Sequence, residues 1–444
     1  MNASKYNYKQ IWLVSYPILI SIIMEQLIGM TDTAFMGRVG EVELGASALA
    51  GVYYLAIFMI GFGFSLGAQI LIGRRNGEKE YKQIGTIFYQ GIFFLMILAA
   101  VMFILSRTFS PVVLKKIIDS AAVYEATVSY INWRVFGFFF SFIMIMFRAF
   151  YVGTTQTKTL TLNSVVMVLS NVAFNYILVF GKFGFPALGI AGAAIGSSLA
   201  ELVSVVFFIV YTRCRIDCKK YALNRIPSFQ FSTLKRILNI SVWTMMQNFI
   251  SLSTWFLFFL GVEHLGERPL AITNIIRNVS ALPFMTIIAF SSTASTLISN
   301  LIGSGEVKYV RDTIAKTIRL TYFIVLPMVL LFAIFPEVIL RIYTDSPELI
   351  HVSIPPLWVL CTSYIFAVPA NIYFQSISGT GNTRPALILE IITLVIYIGY
   401  IYLVIIHFKM DVAVCWTAEH VYAFVMLTLS WLYIKKGNWQ NKRI

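Results

Sequence analysis

Gly153-Thr154-Thr155-Gln156-Thr157-Lys158 returns as Gly379-Thr380-Gly381-Asn382-Thr383-Arg384, an offset of 226 residues (153 to 379). Gly40-Glu41 returns at the same offset as Gly266-Glu267. A third echo, Leu71-Ile72-Gly73-Arg74-Arg75-Asn76-Gly77-Glu78, recurs two residues shorter as Leu301-Ile302-Gly303-Ser304-Gly305-Glu306. Each echo closes or opens a long apolar run, and each half of the chain holds six such runs. The reading is a duplicated six-helix membrane bundle. Six is even, so both copies enter the membrane in the same sense, a parallel repeat related by an axis along the membrane normal. Bundles duplicated in this way place a substrate site between the halves near the bilayer midplane and work by rocking one against the other. The repeat therefore points to transport.

Composition agrees. Apolar residues make up 58% of the 444 and charged residues only 12%, with a mean hydropathy of +0.79, too few charges for a water-facing surface. A helix needs about 20 residues to cross roughly 30 Å of hydrocarbon. Spans are expected near 10–36, 46–72, 84–106, 122–150, 159–180, 189–212, 236–260, 269–300, 312–336, 347–377, 385–406 and 411–434. The fold class is thus an all-α integral membrane protein, twelve transmembrane helices in two pseudo-symmetric six-helix lobes. The N-lobe (helices 1–6) takes residues 1–212, a polar basic linker takes 213–235, and the C-lobe (helices 7–12) takes 236–444. The first span is expected to stay in the mature protein and not to be a cleavable leader, because its apolar run is long and carries Glu25 and Asp32.

The net charge of +14 needs no nucleic acid to explain it. Basic residues gather in alternate loops, as the positive-inside rule requires. One side holds Lys5 and Lys9, then Arg74, Arg75, Lys79 and Lys82, Lys158, the linker group from Arg213 to Arg236, the group from Lys308 to Arg319, Arg384, and Lys435, Lys436, Lys442 and Arg443. The opposite loops are sparse: Arg38, Arg107, Lys115, Lys116, Lys182, Arg268, Arg341 and Lys409. Both termini are expected in the cytoplasm, with the protein a multi-pass monomer of the cell (inner) membrane. Cys214 and Cys218 lie in the linker, where thiols stay reduced and no further ligand completes a zinc site; Cys361 and Cys415 are expected to pack.

Ionisable groups inside spans are costly and mark function. They are Glu25, Asp32, Arg134, Arg148, Glu201, Arg277, Glu390, Glu419 and His420. Arg148 is expected to snorkel toward a membrane face, and Glu201 and Glu419 have an alternative role as partners of a basic group in their own lobe. Glu25 and Asp32 are seven residues apart, within about 20° on one helix face. Pro17, further back, removes one backbone bond and gives that helix a place to bend. A carboxylate facing a partly dry cavity can bind and release a proton or ligate a cation. Gly63-Phe64-Ser65-Leu66-Gly67 matches a hydrolase elbow only in letters, because it lies inside a helical span, where glycine serves close packing. No Walker A loop or H-E-x-x-H pair supplies an engine for ATP-driven transport or zinc hydrolysis.

Pro17 through Gln26, followed by Thr31-Asp32-Thr33-Ala34-Phe35-Met36-Gly37-Arg38-Val39-Gly40, resembles the opening of the multidrug and toxic compound extrusion (MATE) family. Asn171 to Gly181 and Ala187 to Ala194 resemble its fifth and sixth helices, and the two Gly-Thr turns fall after its fourth and tenth. The likeness spans the whole chain. It implies an N-lobe proton or Na⁺ site at Asp32, Asn171, Asn175 and Ser197; Glu25, by its place on the same helix face, would tune Asp32. Asp32, Asn171 and Asn175 would be the metal ligands if the ion is Na⁺. Asn175 stands where some members carry Asp. Ser251 and Ala367 occupy places that are acidic in members of the NorM type, so no C-lobe site of that kind is expected.

The resulting expectation is a secondary active antiporter, not an enzyme, that exports amphipathic, cationic small molecules in exchange for H⁺ or Na⁺ and uses no cofactor. Candidates for the substrate cavity are Phe138, Trp243, Met246, Gln247, Asn274 and Arg277: aromatic and Met side chains adapt to apolar cations, and the rest are polar. The alternatives are a lipid-linked oligosaccharide flippase of the same broad superfamily, which calls for a basic cavity and has only Arg134 and Arg277 for it, and an intramembrane enzyme, which lacks paired catalytic groups.

Overall fold

The computed structural model describes residues 5–437 and 439–440. Lys442 and Arg443, counted above on the cytoplasmic side, lie outside the described residues. The helices are α1 (Tyr8–Val39), α2 (Glu41–Gly77), α3 (Tyr81–Ile117), α4 (Ala121–Arg134), α5 (Gly137–Gly153), α6 (Lys158–Phe180), α7 (Gly189–Arg215), α8 (Phe231–Glu263), α9 (Glu267–Gly303), α10 (Val310–Ile334), α11 (Pro336–Leu340), α12 (Pro347–Gly379), α13 (Thr383–Ile401), α14 (Val412–Cys415) and α15 (Ala418–Lys436). A π turn, Tyr402–His407, extends α13. No strand occurs among the described residues. Eleven stretches are long and apolar enough to span a membrane, and α4 with α5 forms a twelfth that is bent by 51°.

That bend departs from the unbroken fourth span expected at 122–150. Its cause is local: a Cβ at Gly137 would lie 2.1 Å from Arg134 Nη1 and 2.5 Å from Glu201 Oε2. Glycine at the break leaves room for a buried charged group to fold back against the helix. Several other spans, α2, α8 and α9 among them, run longer than hydropathy alone suggests. At 1.5 Å per residue the 37 residues of α2 extend about 55 Å, well beyond a roughly 30 Å hydrocarbon layer.

The duplication is visible bond by bond. Thr154 N–H bonds Phe150 O and Thr155 N–H bonds Val152 O, while 226 residues on Thr380 bonds Ser376 O and Gly381 bonds Ser378 O. Thr155 and Gly381 both take left-handed backbone, φ 61° and 86°. The third echo keeps this offset too, which corrects the shortened alignment. Glu78 N–H bonds Arg74 O and Glu80 N–H bonds Arg75 O, matched by Ser304 to Asn300 O and Glu306 to Leu301 O. The left-handed residues are Lys79 (φ 64°) and Gly305 (φ 74°). Backbone hydrogen bonding, not the letters Leu-Ile-Gly, sets the equivalence.

Two compact units emerge. One is Ile20–Met245; the other joins the chain up to Leu19 with Met246 onward. The boundaries fall inside α1 and α8. Within the first unit, α2 meets the start of α8 closely: Ser241 Oγ donates to Phe64 O at 3.0 Å and Thr244 Oγ1 to Gly63 O at 2.6 Å. A Cβ at Gly67 would sit 2.6 Å from Ser241 Cα, so the Gly63–Gly67 motif is a packing seam. In the second unit, Gly379 plays the part that Gly153 plays in the first. A Cβ at Gly379 would lie 2.4 Å from Ser295 O on α9, and one at Gly153 2.7 Å from Ile72 Cγ2 on α2.

Candidate functional site

Asp32 sits on α1, facing α6 and α7. Asn171 and Asn175 stand one turn apart on α6 and are fully buried, and Ser197 on α7 is 5% exposed. Helices α6 and α7 approach closely because α7 carries glycine at the contact: a Cβ at Gly192 would meet Leu178 O at 2.5 Å, and one at Gly196 would meet Asn175 Oδ1 at 2.4 Å. That approach brings the polar side chains together. Asn175 Nδ2 donates to Asp32 Oδ1 at 2.6 Å and Ser197 Oγ donates to Asp32 Oδ2 at 3.2 Å. Asn171 Nδ2 donates to Ser197 Oγ at 3.2 Å, and Asn171 Oδ1 accepts from Asn175 Nδ2 at 3.2 Å. The four residues placed together by resemblance thus form one network, in which both carboxylate oxygens receive a hydrogen.

A buried ion pair lies within electrostatic range of Asp32. Arg134, at the end of α4, donates from Nη2 to Glu201 Oε1 at 2.6 Å and from Nη1 to Glu201 Oε2 at 2.9 Å. Its guanidinium lies 3.6 Å from the centre of the Tyr54 ring, and Tyr54 Oη donates to Glu201 Oε1 at 3.2 Å. Such a forked pair stacked on an aromatic face is a geometry only arginine supplies. Arg134 is therefore committed to Glu201. Counting Asp32, Glu201 and Arg134, the group carries one net negative charge when Asp32 is ionised and none when it has taken up a proton or a monovalent cation. Burial makes that difference expensive, so the charge state of Asp32 bears on how α1, α4 and α7 pack.

Other expectations are redistributed. Glu25 does not join this network: its Oε1 accepts from Arg148 Nη1 at 3.0 Å and from Ser21 Oγ at 3.3 Å. Arg148 is thereby paired with Glu25. The two carboxylates share a helix face but stand about 10 Å apart along it, and α5 offers Glu25 a cation in Arg148 whereas Asp32's neighbours offer none that is free. Phe138 is fully buried and stacks on Tyr54 with ring centres 4.8 Å apart, which places it behind the Arg134 cluster.

Trp243 is half-buried and Met246 is 44% exposed. Gln247 is buried, with no hydrogen-bond partner for Oε1. Asn274 turns its amide to Leu270 O on its own helix at 3.1 Å. The Arg277 guanidinium lies 5.4 Å from the Phe259 ring centre and 5.9 Å from that of Trp255. It makes no salt bridge among the described residues. Sequence reasoning named Arg134 and Glu201 as costly charges but missed Tyr54 and Gly137, which carry no sequence signal of their own. Ser251 was read as the loss of an acidic group, yet its hydroxyl contacts Glu390 of α13.

Among the described residues no cluster of three or more His, Cys, Asp or Glu could hold a metal ion. An open cleft of about 730 Å³ adjoins Gly40, lined by Glu41, Glu43 and Glu125.

Comparison with known proteins places the chain among membrane transporters. The MatE family model matches residues 17–177 and 244–403, the two halves of the repeat. A curated relative, "Probable multidrug resistance protein NorM" of Thermotoga maritima, is 24% identical over 441 residues, covering 98% of this chain and 94% of its own. The eukaryotic MATE transporter AtDTX14 superposes with a TM-score of 0.85 at 19% identity, covering 97% of this chain and 96% of the other. A MOP superfamily transporter from Pyrococcus furiosus superposes with a TM-score of 0.86 at 17% identity and covers 97% of each chain.

Proposed function

Because this chain belongs to the MatE family of membrane transporters, and is a transporter rather than an enzyme, we propose that it is a secondary active antiporter. It exports amphipathic, cationic compounds across the cell membrane and takes up a proton at Asp32 in exchange. The observation that carries this reading is the Asp32 network: one carboxylate on α1, held only by amide and hydroxyl donors, beside an arginine already neutralised by Glu201. Loading the carboxylate removes the uncompensated charge and the need for those donors. The α1 packing that satisfies the ionised form is then no longer the best one, and the conformational equilibrium shifts by the difference in binding energy between the two states.

Na⁺ fits the same site less well. Hard cations are bound by several oxygens, and here the two carboxylate oxygens face Asn175 Nδ2 and the Ser197 hydroxyl; Asn175 Oδ1 is the buried oxygen left without a partner. The flippase alternative loses support, since Arg134, one of its two arginines, is spent on Glu201. Efflux of a fluorescent organic cation from proteoliposomes, under separately imposed pH and Na⁺ gradients, tests the proposal. Transport driven by the pH gradient alone supports it. Transport driven only by Na⁺, or by neither gradient, overturns the proton assignment.

A further inference from the structure

The second unit holds a buried carboxylate that the reading above does not use. Glu390 lies mid-way along α13, 2% exposed. Its Oε1 contacts Ser251 Oγ on α8, and its Oε2 is buried without a hydrogen-bond partner. Among the described residues it has no salt bridge.

The hydrogen count around Ser251 is informative. Ser251 Oγ has two oxygen neighbours, Glu390 Oε1 and, at 2.8 Å, the backbone carbonyl of Gln247. A serine hydroxyl has one hydrogen. If Glu390 is ionised, that single hydrogen faces two acceptors and one contact has none. If Glu390 is the neutral acid, its O–H donates to Ser251 Oγ, Ser251 donates to Gln247 O, and both contacts are filled. The Asp32 network counts the opposite way: Asn171 donates to Ser197, Ser197 and Asn175 donate to Asp32, and every contact is filled with Asp32 ionised.

The surroundings of Glu390 agree. From α15, Tyr422 lies within electrostatic range of both Glu390 and Glu419. Glu419 accepts from Tyr397 Oη of α13 at 3.0 Å, and the Tyr397 and Tyr422 rings are 5.7 Å apart. From α12, Tyr364 faces Glu419; His420 of α15 turns to Thr362 of α12 at 2.9 Å. From α8 the facing group is Ser251. Glu390 and a second carboxylate, Glu419, are thus linked through Tyr422, with Tyr397 and Tyr364 beside Glu419 and no lysine or arginine among these groups. A carboxylate in such a place avoids the cost of a buried, uncompensated charge only by carrying a proton.

We propose that Glu390, with Ser251 as its hydrogen-bond partner, is a second proton-binding site, carried by the second unit and loaded while Asp32 is empty. The proton forms an O–H bond to the carboxyl group on uptake and returns to water on release; no other bond changes. The proposal rests on the antiport reading for its role in transport, whereas the site itself is testable without transport.

The test has two arms. Infrared spectroscopy of the purified full-length protein at neutral pH should show a protonated-carboxyl C=O band that disappears in Glu390→Gln, persists in Asp32→Asn and shifts in Ser251→Ala. A wild-type spectrum without such a band, or one that Glu390→Gln leaves intact, overturns the proposal. In proteoliposomes, reversal-potential measurements should give one proton fewer per exported cation for Glu390→Gln. One proton per cycle at a one-unit pH gradient is worth a factor of ten in the limiting accumulation ratio, about 1.36 kcal/mol, so accumulation should fall about tenfold. An unchanged ratio overturns the transport role. Because glutamine keeps the size and neutrality of the acid form, folding should survive. Loss of the band in Glu390→Gln together with pH-gradient-driven transport that survives Asp32→Asn would sink the Asp32 assignment while leaving this site standing.

Discussion

At the scale of single residues, buried charge arithmetic governs what substitutions do. Asp32→Asn keeps size and can still meet Asn175 and Ser197, but it removes titration; export driven by a pH gradient should fall to the background of empty liposomes while expression and folding persist. Near-normal export by a well-folded Asp32→Asn protein would remove Asp32 from the mechanism. Glu201→Gln is a different kind of change. It strands Arg134, whose side chain is only 11% exposed, and breaking one side of a buried pair costs about 3–5 kcal/mol. Arg134→Met with Glu201→Gln should recover part of that loss, because no lone charge stays buried. Thermal unfolding in detergent, compared across the two singles and the double, checks it; a double variant as unstable as the sum of the singles would contradict the pairing. Glu25→Gln, by contrast, loses an ion pair whose acid is 46% exposed, and should leave the coupling intact.

Among the helices, glycine at repeated positions decides how closely spans pack. Gly379→Ala drives a methyl group to 2.4 Å from a backbone oxygen, Ser295 O, whereas Gly153→Ala meets first the Ile72 Cγ2 methyl at 2.7 Å and the nearest backbone oxygen, Gln69 O, only at 3.0 Å. A backbone atom cannot step aside without moving its helix, so Gly379→Ala should cost the larger share of the about 1–3 kcal/mol typical of overpacking, read as the lower melting temperature of the two variants. Lys79 and Gly305, at equivalent turns, give a complementary pair. Lys79→Gly relieves a left-handed side-chain residue, and Gly305→Ala introduces one, each worth about 1 kcal/mol in opposite directions. Equal stabilities for the two variants would argue against the shared turn.

For the molecule as a whole, the unequal distribution of basic residues predicts that the linker and both termini face the cytoplasm. The chain carries its own probe. Cys214 is exposed at the end of α7, while Cys361 and Cys415 are buried. An impermeant thiol reagent should leave the protein unlabelled in intact cells and label it in inverted vesicles, with the signal lost when Cys214→Ser is combined with Cys218→Ser, since Cys218 in the same linker is half-buried. Labelling of Cys214 from outside intact cells would reverse the topology.

Much of this was legible from residues alone. Apolar content and the 226-residue offset are each local or additive along the chain, so a one-dimensional reading recovers the membrane-length spans and the two copies, while the alternating basic loops give the orientation predicted above. Asp32, Asn171, Asn175 and Ser197 were legible through resemblance together with spacing, since residues one turn apart share a helix face. The bend in the fourth span, the true register of the third echo and the partner of every buried charge were not. Glu25 and Arg148 find each other across 123 residues, Arg134 and Glu201 across 67, and Ser251 and Glu390 across 139. Which carboxylate meets which donor depends on helix rotation and on glycine-permitted approach, and those are settled by packing in three dimensions. Sequence thus determined that this chain crosses the membrane as a duplicated bundle; tertiary structure alone decided which of its buried acids are paired, which are held by neutral donors and which need a proton, because the cost of a buried charge is set by its neighbours in space and not by its neighbours in the chain.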